Sequence, residues 1–343
     1  MSERRLFLDQ GIGESRGVVT LDGEPERLLI WREGMPEQTR LGARLIGRVR
    51  KVEPAFASAF VDLGAGIEAL MAFRPEARPV QGQAVEVEIR SEPRQGKLAT
   101  VRVVGPAEGA PRLVQAAPDL AQQLSGLGLV VEGPEARRWA DRAQEEALET
   151  IHPLTGGGTL AIEPTRALVA IDVDIGERKG QDAKRVTRQA NLQALATAAR
   201  LLRLKGLGGI VIFDLVGRGH DGNALLTTAR AAFAPDNPGV AIGPVGRFGT
   251  MEMTVPRRTR SVREILCDSD GQLTDETLAI GLIRQIEAAA VANPGSRLRV
   301  GVSAGVAEAA KGLASQLAAI VGARFAIEVE PGLARGRFAV AAQ

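Results

Sequence analysis

The sequence predicts a multidomain α/β protein, and three observations lead to that fold class. The chain has 343 residues, enough for two or three folding units at roughly 100–200 residues each. Its first hundred residues contain short apolar runs separated by glycine turns, a pattern typical of β-strands. After residue 155, strand and helix patterns alternate, which favours a sheet covered by helices.

The N-terminal part is predicted to be all β. Residues 1–40 contain strands near residues 5–8 and 27–31, which we expect to pack on the catalytic part of the protein. Residues 41–104 contain five short strands with turns at Gly64, Gly82 and Gly96. This density favours a small closed barrel of the OB type, although a β-meander fits the pattern equally well. The five predicted strands are 43–49, 59–62, 67–72, 84–89 and 98–103.

Residues 105–155 are predicted to form a mostly helical connector, with a helix at 135–150. Three glycines follow at 156–158. They could be a phosphate-binding loop, but no GK[ST] follows them, so a hairpin turn is the preferred interpretation.

The C-terminal half is predicted to contain two α/β units. The first, residues 156–265, would contain strands 167–174, 209–215 and 240–245 and helices 182–205 and 223–232. Residues 266–343 would form a small separate α/β domain. Its predicted elements are a first helix after residue 275, strands 298–302, 325–329 and 337–341, and helix 306–321.

The composition restricts the chemistry that the chain can perform. It has 43 Lys and Arg against 41 Asp and Glu, but only two His, one Cys and no Tyr. An intrachain disulfide, a two-cysteine zinc knuckle and a histidine-rich metal centre are therefore excluded. No apolar run approaches the ~18 residues of a membrane span and no signal-peptide core is present, so we expect a cytoplasmic protein without a membrane partner.

Carboxylates follow two strands of the unit at residues 156–265. Asp172 and Asp174 end the first strand and share a face, and Asp214 ends the next. A strand–helix–strand unit favours parallel strands, whose carboxyl ends meet at one edge of the sheet. Such carboxylates repel one another unless a hard cation such as Mg²⁺ or Mn²⁺ lies between them. The alternative is that these aspartates only cap helices or begin turns.

Basic residues surround the carboxylates in sequence. Arg178 and Lys179 follow the first strand, and Arg257 and Arg258 follow an Arg-Phe-Gly segment at 247–249. A basic surround at a carboxylate centre suits phosphodiester substrates. For Lys184, Arg185 and Arg188, an ordinary solvated helix face is the alternative.

Several spaced motifs resemble the ribonuclease E/ribonuclease G family. They are the block at 167–172, 191–192 and 201–214, the segment 247–249 with Glu252 and Met253, and the barrel segments 47–49, 53–54 and 59–64. These motifs occur in the order of the family, and the resemblance covers most of the chain.

The resemblance implies roles for individual residues. Asp172 and Asp214 would hold a catalytic Mg²⁺, with Mn²⁺ as a substitute, and Asp174 would add a carboxylate where the family often has Asn. The resemblance also implies that residues 41–104 are an RNA-binding barrel and residues 156–265 a catalytic nuclease domain. It implies RNA contacts for Phe60, Lys97, Asn191 and Arg257, with barrel core as the alternative for Phe60. The basic surround adds Arg178, Lys179 and Arg258 as candidate RNA-binding residues.

Two departures from the family are evident. Relatives carry a pair of cysteines after the Arg-Phe-Gly segment, whose shared zinc joins two chains, whereas Cys267 stands alone here. We therefore expect a monomer or a homodimer without a zinc link. Residues 105–155 are also too short for the family's insertion with its pocket for an RNA 5′-monophosphate.

The resulting hypothesis is a Mg²⁺-dependent endoribonuclease that cuts single-stranded RNA. The principal alternative is a non-catalytic RNA-binding protein that retains the nuclease fold, and a DNA nuclease is a third interpretation. His220 follows the Asp214 strand but is left out of the catalytic set, because a lone loop histidine is more often a turn or surface residue.

Overall fold

A computed structural model describes residues 3–94, 96–177 and 182–342 of the chain. The predicted RNA-binding residues Arg178 and Lys179 lie outside these ranges. Within the described ranges, no helix has both the length and the apolar character needed to cross a membrane.

The strands and helices follow the chain in this order. The first are β1 (Arg4–Gly11), β2 (Glu14–Leu21), β3 (Glu24–Arg32), β4 (Arg44–Glu53), β5 (Ser58–Gly64), β6 (Ile67–Ala72), β7 (Ala84–Ser91), β8 (Ala99–Pro106) and β9 (Arg112–Gln115). Next come α1 (Leu120–Ser125), β10 (Val130–Glu132), α2 (Pro134–Leu148), β11 (Ile151–Pro153), β12 (Thr159–Pro164), β13 (Val169–Asp174) and α3 (Ala183–Lys205). The last are β14 (Gly209–Asp214), α4 (Gly222–Ala232), β15 (Ala241–Val245), β16 (Thr250–Val255), α5 (Val262–Leu266), α6 (Asp275–Ala292), β17 (Leu298–Val302), α7 (Ala304–Val321), β18 (Phe325–Val329) and β19 (Ala339–Ala342).

Strands β4 to β8 form a closed five-stranded barrel in the order β4-β5-β6-β8-β7-β4. Strands β6 and β8 pair in parallel, which a simple meander cannot produce. The barrel is therefore consistent with the expected OB type. Alternation along β5 turns Ala59, Val61 and Leu63 into the barrel core, while Phe60 faces outward and is half-buried.

The segment predicted as a helical connector instead supplies one strand to each of three sheets. Strand β9 pairs with β4 on the barrel, β10 pairs in parallel with β1, and β11 begins the hairpin that β12 completes. Only α1 and α2 match the expected helical character. This region joins the surrounding sheets and is not a separate linker.

The N-terminal sheet has the order β10-β1-β2-β3 and includes β2, a strand that the sequence pattern did not reveal. The central sheet has the order β11-β12-β13-β14-β16-β15. Strand β16, also not predicted, is inserted between β14 and β15 and is antiparallel to both. The glycines at 156–158 form the turn of the β11–β12 hairpin, as expected.

Helices α2 and α3 lie between the N-terminal sheet and the central sheet. One continuous hydrophobic core joins Phe7 of β1 to the alanines of α2 and α3 and to the inward side chains of β12, β13 and β14. Phe7 also stacks on Trp139 of α2 with ring centroids 5.3 Å apart. Small alanine side chains on both helices allow this close approach.

Lys205, the last residue of α3, fastens α2 to α3. Its ammonium group is buried and donates hydrogen bonds to the backbone oxygens of Glu146 (3.2 Å), Ala147 (3.0 Å) and Glu149. These oxygens belong to the end of α2, where carbonyl groups lack partners within the helix. The bonds fix the angle at which the chain leaves α2 for β11.

The C-terminal part forms its own layer, in which α6 and α7 pack against the three-stranded sheet β18-β17-β19. Ion pairs attach this layer to the rest of the chain.

One buried arginine joins the N-terminal sheet to α2. Arg16 of β2, only 1% exposed in its side chain, donates to Asp9 of β1 at 2.6 Å and to Asp141 of α2 at 2.8 Å.

Arg32 makes the matching connection to the C-terminal layer. It pairs with the buried Glu14 at 2.7 Å and donates to the hydroxyl of Thr277 on α6 at 2.9 Å. Arg284 of α6 pairs with the second oxygen of Glu14 at 3.0 Å. We call Asp9, Glu14, Arg16, Arg32 and Arg284 the buried ionic cluster.

Neutralising Glu14 should destabilise the protein strongly. In Glu14→Gln, Arg32 and Arg284 keep their buried positions but lose their shared counter-charge, which costs about 3 kcal/mol in the free energy of unfolding. The exposed pair Glu24–Arg142 (2.7 Å) provides the control, since Glu24→Gln should cost less than about 1 kcal/mol. Urea denaturation measures both, and equal losses would contradict the role given to the cluster.

His152 of β11 makes stability depend on pH. Burial, helped by the charge of Lys205, lowers the pKa of His152 to about 4. The unfolded chain therefore binds a proton more readily than the folded chain between about pH 6.5 and 4, and stability falls as the pH falls through this range. In His152→Gln, the loss of unfolding free energy between pH 7 and pH 4.5 should be smaller by about 2 kcal/mol. An identical loss in the two proteins would rule out this contribution.

Candidate active site

Asp172 and Asp214 are direct neighbours across two parallel strands. They are register partners in the β13–β14 pair, and both are exposed. Adjacent strands lie about 4.8 Å apart, and register partners point to the same face of a sheet. The expectation that these two strands pair in parallel and bring their carboxylates together is therefore confirmed.

The two carboxylates lie on an open face of the central sheet. Along β13, Val169, Ile171 and Val173 face the helices, whereas Ala170, Asp172 and Asp174 alternate with them on the other face. The row that crosses the sheet at Asp172 and Asp214 continues to Thr250 of β16, which pairs with Asp214. Thr250 was not among the predicted site residues, because β16 itself was not predicted.

Asp172 and Asp214 have free carboxylates, whereas Asp174 does not. Among the residues that the structure describes, none forms a hydrogen bond or ion pair with the side chain of Asp172 or Asp214. Asp174 accepts a hydrogen bond from the backbone N–H of Gly176 at 2.8 Å and so begins a turn. The alternative that these aspartates only cap helices or begin turns therefore holds for Asp174 but not for Asp172 or Asp214.

The turn after β13 is packed tightly against the β11–β12 hairpin. A Cβ atom on Gly158, which has φ +80°, would lie 2.2 Å from the backbone oxygen of Asp174. Only glycine allows the hairpin to approach the strand end this closely.

The donor set is a pair of carboxylates and not a closed metal cage. Across the described ranges, no group of three or more His, Cys, Asp or Glu side chains is arranged to hold a metal ion. Two carboxylates with room for several waters are the ligands that Mg²⁺ commonly takes from a protein. Asp172 and Asp214 therefore fit a magnesium ion that is otherwise coordinated by water and substrate.

Asn191 of α3 supports the site from beneath and has no exposed atom with which to contact RNA. It is fully buried. Its amide nitrogen donates to the oxygen of Val216 at 3.0 Å, and its amide oxygen accepts from the nitrogen of Val216 at 3.1 Å. Because Val216 lies two residues after Asp214, this pairing fixes the loop that follows the carboxylate.

The β15–β16 turn contacts the same loop from the other side. The N–H of Leu215, the residue after Asp214, donates to the oxygen of Gly249 at 3.1 Å. His220 lies against this turn, since a Cβ atom on Gly249 would be 3.3 Å from His220 Nε2. That nitrogen is buried and has no hydrogen-bond partner among the described residues. His220 therefore lies close to the site, which its position after the Asp214 strand allowed.

Arg257 and Arg258 lie at the opposite edge of the sheet from the carboxylates. Asp214 pairs with Thr250 at one end of β14, and Gly209 pairs with Val255 at the other. Because both arginines follow Val255, they lie more than roughly 16 Å from Asp214 along the strand direction. Arg257 pairs with Glu264, and the exposed Arg258 donates to the backbone oxygen of Pro238 at 3.2 Å. The structure therefore does not bring these arginines next to Asp172 and Asp214.

Both arginines line a cavity of about 510 Å³ between the N-terminal sheet, the barrel and the central sheet. Trp31, Arg40 and Arg260 also line it, and the guanidinium of Arg40 lies 4.5 Å from the ring centroid of Trp31. The arginine-rich segment thus faces a space shared by three parts of the chain.

The start of α3 places basic side chains beside the carboxylate edge. Lys184, Arg185 and Arg188 are exposed, and Asp182 caps the helix by accepting from the N–H groups of Lys184 and Arg185. Arg188 forms an exposed ion pair with Asp221 at 3.3 Å.

The barrel presents Phe60 and Lys97 on its outer surface. Phe60 pairs with Lys51 of β4 and Leu70 of β6, and Lys97 is exposed in the turn before β8. Lys51 is a basic neighbour that the sequence did not single out, because the β4–β5 register was not known. Phe60 is therefore not part of the barrel core, which was the alternative to an RNA contact.

Comparisons with known proteins identify this architecture. Residues 137–259 match the sequence model of the Ribonuclease E/G family. This part of the chain is therefore similar to the ribonuclease E/G family. The matched segment runs from α2 through β16 and includes both free carboxylates of the central sheet.

Individual ribonucleases are also similar to this chain. Ribonuclease G of Salmonella typhimurium (strain SL1344) is 31% identical over 201 residues, which are 54% of this chain and 41% of that protein. Ribonuclease E of Haemophilus influenzae is 31% identical over 153 residues, or 42% of this chain and 16% of that protein. Ribonuclease G of Escherichia coli K12 is 29% identical over 201 residues. The chain thus spans about two fifths or less of the length of these relatives.

Cys267, the single cysteine, follows α5 and is half-buried. Burial raises the pKa of its thiol. Its backbone forms an isolated bridge with Leu273, which brings the chain back toward α6.

Replacing Asn191 should change stability and not RNA affinity. Asn191→Ala leaves the buried N–H and C=O of Val216 unpaired, and we expect a loss of about 2–3 kcal/mol in unfolding free energy. Affinity for single-stranded RNA without divalent cations should stay within about twofold at a temperature where both proteins are folded. Arg258→Ala is the comparison variant, with the opposite pattern expected. A loss of affinity in Asn191→Ala without a loss of stability would restore the predicted RNA contact.

Proposed function

We propose that the protein is a Mg²⁺-dependent endoribonuclease that cuts single-stranded RNA in RNA processing or decay. The observation that carries the proposal is the pair of free, exposed carboxylates of Asp172 and Asp214, in register on adjacent parallel strands. An unpaired carboxylate pair is an unfavourable arrangement unless a cation binds there. The similarity to the ribonuclease E/G family supports phosphodiester cleavage as the use of that cation.

Asp172 and Asp214 would hold the ion through their exposed carboxylates. When bound, Mg²⁺ supplies a Lewis acid that neutralises charge on the scissile phosphate and activates a water. The buried Asn191 and the Gly249 oxygen hold the loop after Asp214, so this carboxylate is fixed in place before substrate arrives. Asp174 is committed to the Gly176 N–H, and its contribution to the site is negative charge.

Several surfaces would orient the RNA. The Phe60–Lys51 pair offers an aromatic face beside a positive charge on the barrel, and Lys97 adds a second charge. Exposed basic residues at the start of α3 would contact phosphates near the carboxylate edge. Arg258 would contact a more distant part of the strand, because it lies at the other edge of the sheet.

A non-catalytic RNA-binding protein with the same fold is the second candidate. It is favoured by the limited coverage of the relatives, since this chain aligns with only 41% of Ribonuclease G. The two candidates differ in their requirement for divalent cations. Cleavage needs the ion at Asp172 and Asp214, whereas binding through the barrel and basic side chains needs none.

Conservative amides at the carboxylates should abolish cleavage. With a fluorescent single-stranded RNA and Mg²⁺, Asp172→Asn and Asp214→Asn should each lower kcat/KM by at least about 100-fold, because each removes one of the two carboxylates that would hold the ion. Glu308→Gln, on the far surface of α7, is the control and should cleave like the wild type. Calorimetric titration with Mn²⁺ gives a second readout, in which both asparagine variants should lose the binding seen in the wild type.

The remaining outcomes separate the alternatives. Equal cleavage by the wild type and both variants would refute the mechanism. Wild-type protein that binds RNA without Mg²⁺ and cuts nothing would favour the non-catalytic candidate. Preferential cutting of a single-stranded DNA of the same sequence would reassign the substrate.

A further inference from the structure

Phe248 is exposed beside the carboxylates in a protein that has few aromatic residues. The chain contains nine Phe, two Trp and no Tyr, and the side chain of Phe248 is 78% exposed. Among the described residues, only Phe56 in the barrel is a comparably exposed aromatic. Leaving an aromatic ring in water forgoes burial that would favour folding.

The backbone holds Phe248 close to the catalytic row. Phe248 lies in the tight turn between β15 and β16, two residues before Thr250, the register partner of Asp214. The turn is closed by hydrogen bonds from Gly249 N–H to Gly246 oxygen (3.1 Å) and from Gly246 N–H to Thr250 oxygen (2.8 Å). The bond from Leu215 to Gly249 fastens it to the residue after Asp214.

Arg247 covers the ring with positive charge. Its guanidinium lies 4.6 Å from the ring centroid, and no other described residue pairs with it through a hydrogen bond or ion pair. A planar cation on an aromatic ring is a stabilising contact that also keeps the ring oriented. The pair combines a π-surface with a charge that attracts phosphate, the two elements of single-strand recognition.

The surroundings of Phe248 favour a nucleobase over an apolar protein partner. The ring is flanked in the turn by Gly246, Arg247 and Gly249, none of which extends an apolar surface. A protein interface needs a contiguous apolar patch of several side chains, whereas one ring is sufficient to stack a single base.

We propose that Phe248, oriented by Arg247, is a stacking platform for the base of a nucleotide next to the scissile phosphate. The proposal rests on the proposed endoribonuclease function. It assigns the turn a task that neither the carboxylates nor the barrel performs, which is to fix which phosphate of the strand lies at Asp172 and Asp214. Recognition is through the π-face of the base, so it tolerates all four bases and favours the larger purines.

Abasic substitution tests the platform one nucleotide at a time. A series of short single-stranded RNAs with one cleavage site carries an abasic residue at successive positions around that site. With wild-type protein, one position should lower kcat/KM about tenfold, the effect of losing one base–aromatic stack. Phe248→Leu, which keeps an apolar side chain without a π-face, should cut the intact RNA about tenfold more slowly and lose nothing further at that position.

Two further variants control the experiment. Phe248→Trp should lose as much kcat/KM at the abasic position as the wild type does. Phe56→Leu should show the same loss at that position, whatever its effect on the overall affinity for RNA. Because Phe248 is exposed, urea unfolding of Phe248→Leu should match that of the wild type. Wild-type rates for Phe248→Leu on intact RNA, or an unchanged abasic loss in that variant, would overturn the proposal.

Failure of the platform is distinguishable from failure of the nuclease function. If the wild type cuts no RNA, the endoribonuclease proposal fails, and the platform is tested by binding of RNAs with 2-aminopurine at each position in turn. Fluorescence quenching at one position by the wild type but not by Phe248→Leu supports the stack. Quenching that is the same for the two proteins at every position overturns it.

Discussion

The burial of α3 between two sheets is the constraint on which the site depends. Its inward positions, including Ala190, Ala194 and Ala198, are fully buried and small enough for the helix to lie close to the strands. Packed between the sheets, α3 carries the chain from the end of β13 back to the end of the central sheet at which β13 began. Strand β14 therefore runs parallel to β13, and their acidic ends meet. The carboxylate pair is a consequence of helix packing.

Charge is used in two different environments by this nearly neutral chain. Asp9, Glu14, Arg16 and Arg32 are buried and compensate one another, so they connect layers without contributing to the surface field. The pKa of Asp9, which burial alone would raise, is lowered by Arg16 and the other arginines around it. The aspartates of the open sheet face have no such compensation. The same residue type therefore serves as a structural element in the interior and is left exposed at the ends of the strands.

The sequence predicted elements best where periodicity and chain neighbours are sufficient to define them. Helix α3, the five barrel strands and the parallel pairing at Asp172 and Asp214 are confirmed. Strands β2 and β16 were missed because each is stabilised by partners on both sides, and β16 is also inserted out of chain order. The same limitation hid Thr250 and Lys51, whose proximity to the site residues depends on register. Burial of Asn191 was equally invisible, since its partner Val216 is 25 residues away.

The distance between the two ends of the β-strands in the central sheet sets a minimum length for any RNA strand that contacts both ends. Arg258 lies more than roughly 16 Å from the Asp214 row along the strand direction, because the length of β16 separates them. At about 3.4 Å for each stacked nucleotide, that span corresponds to roughly five nucleotides. A stacked strand of two or three nucleotides would therefore be too short to contact both ends of the sheet at once.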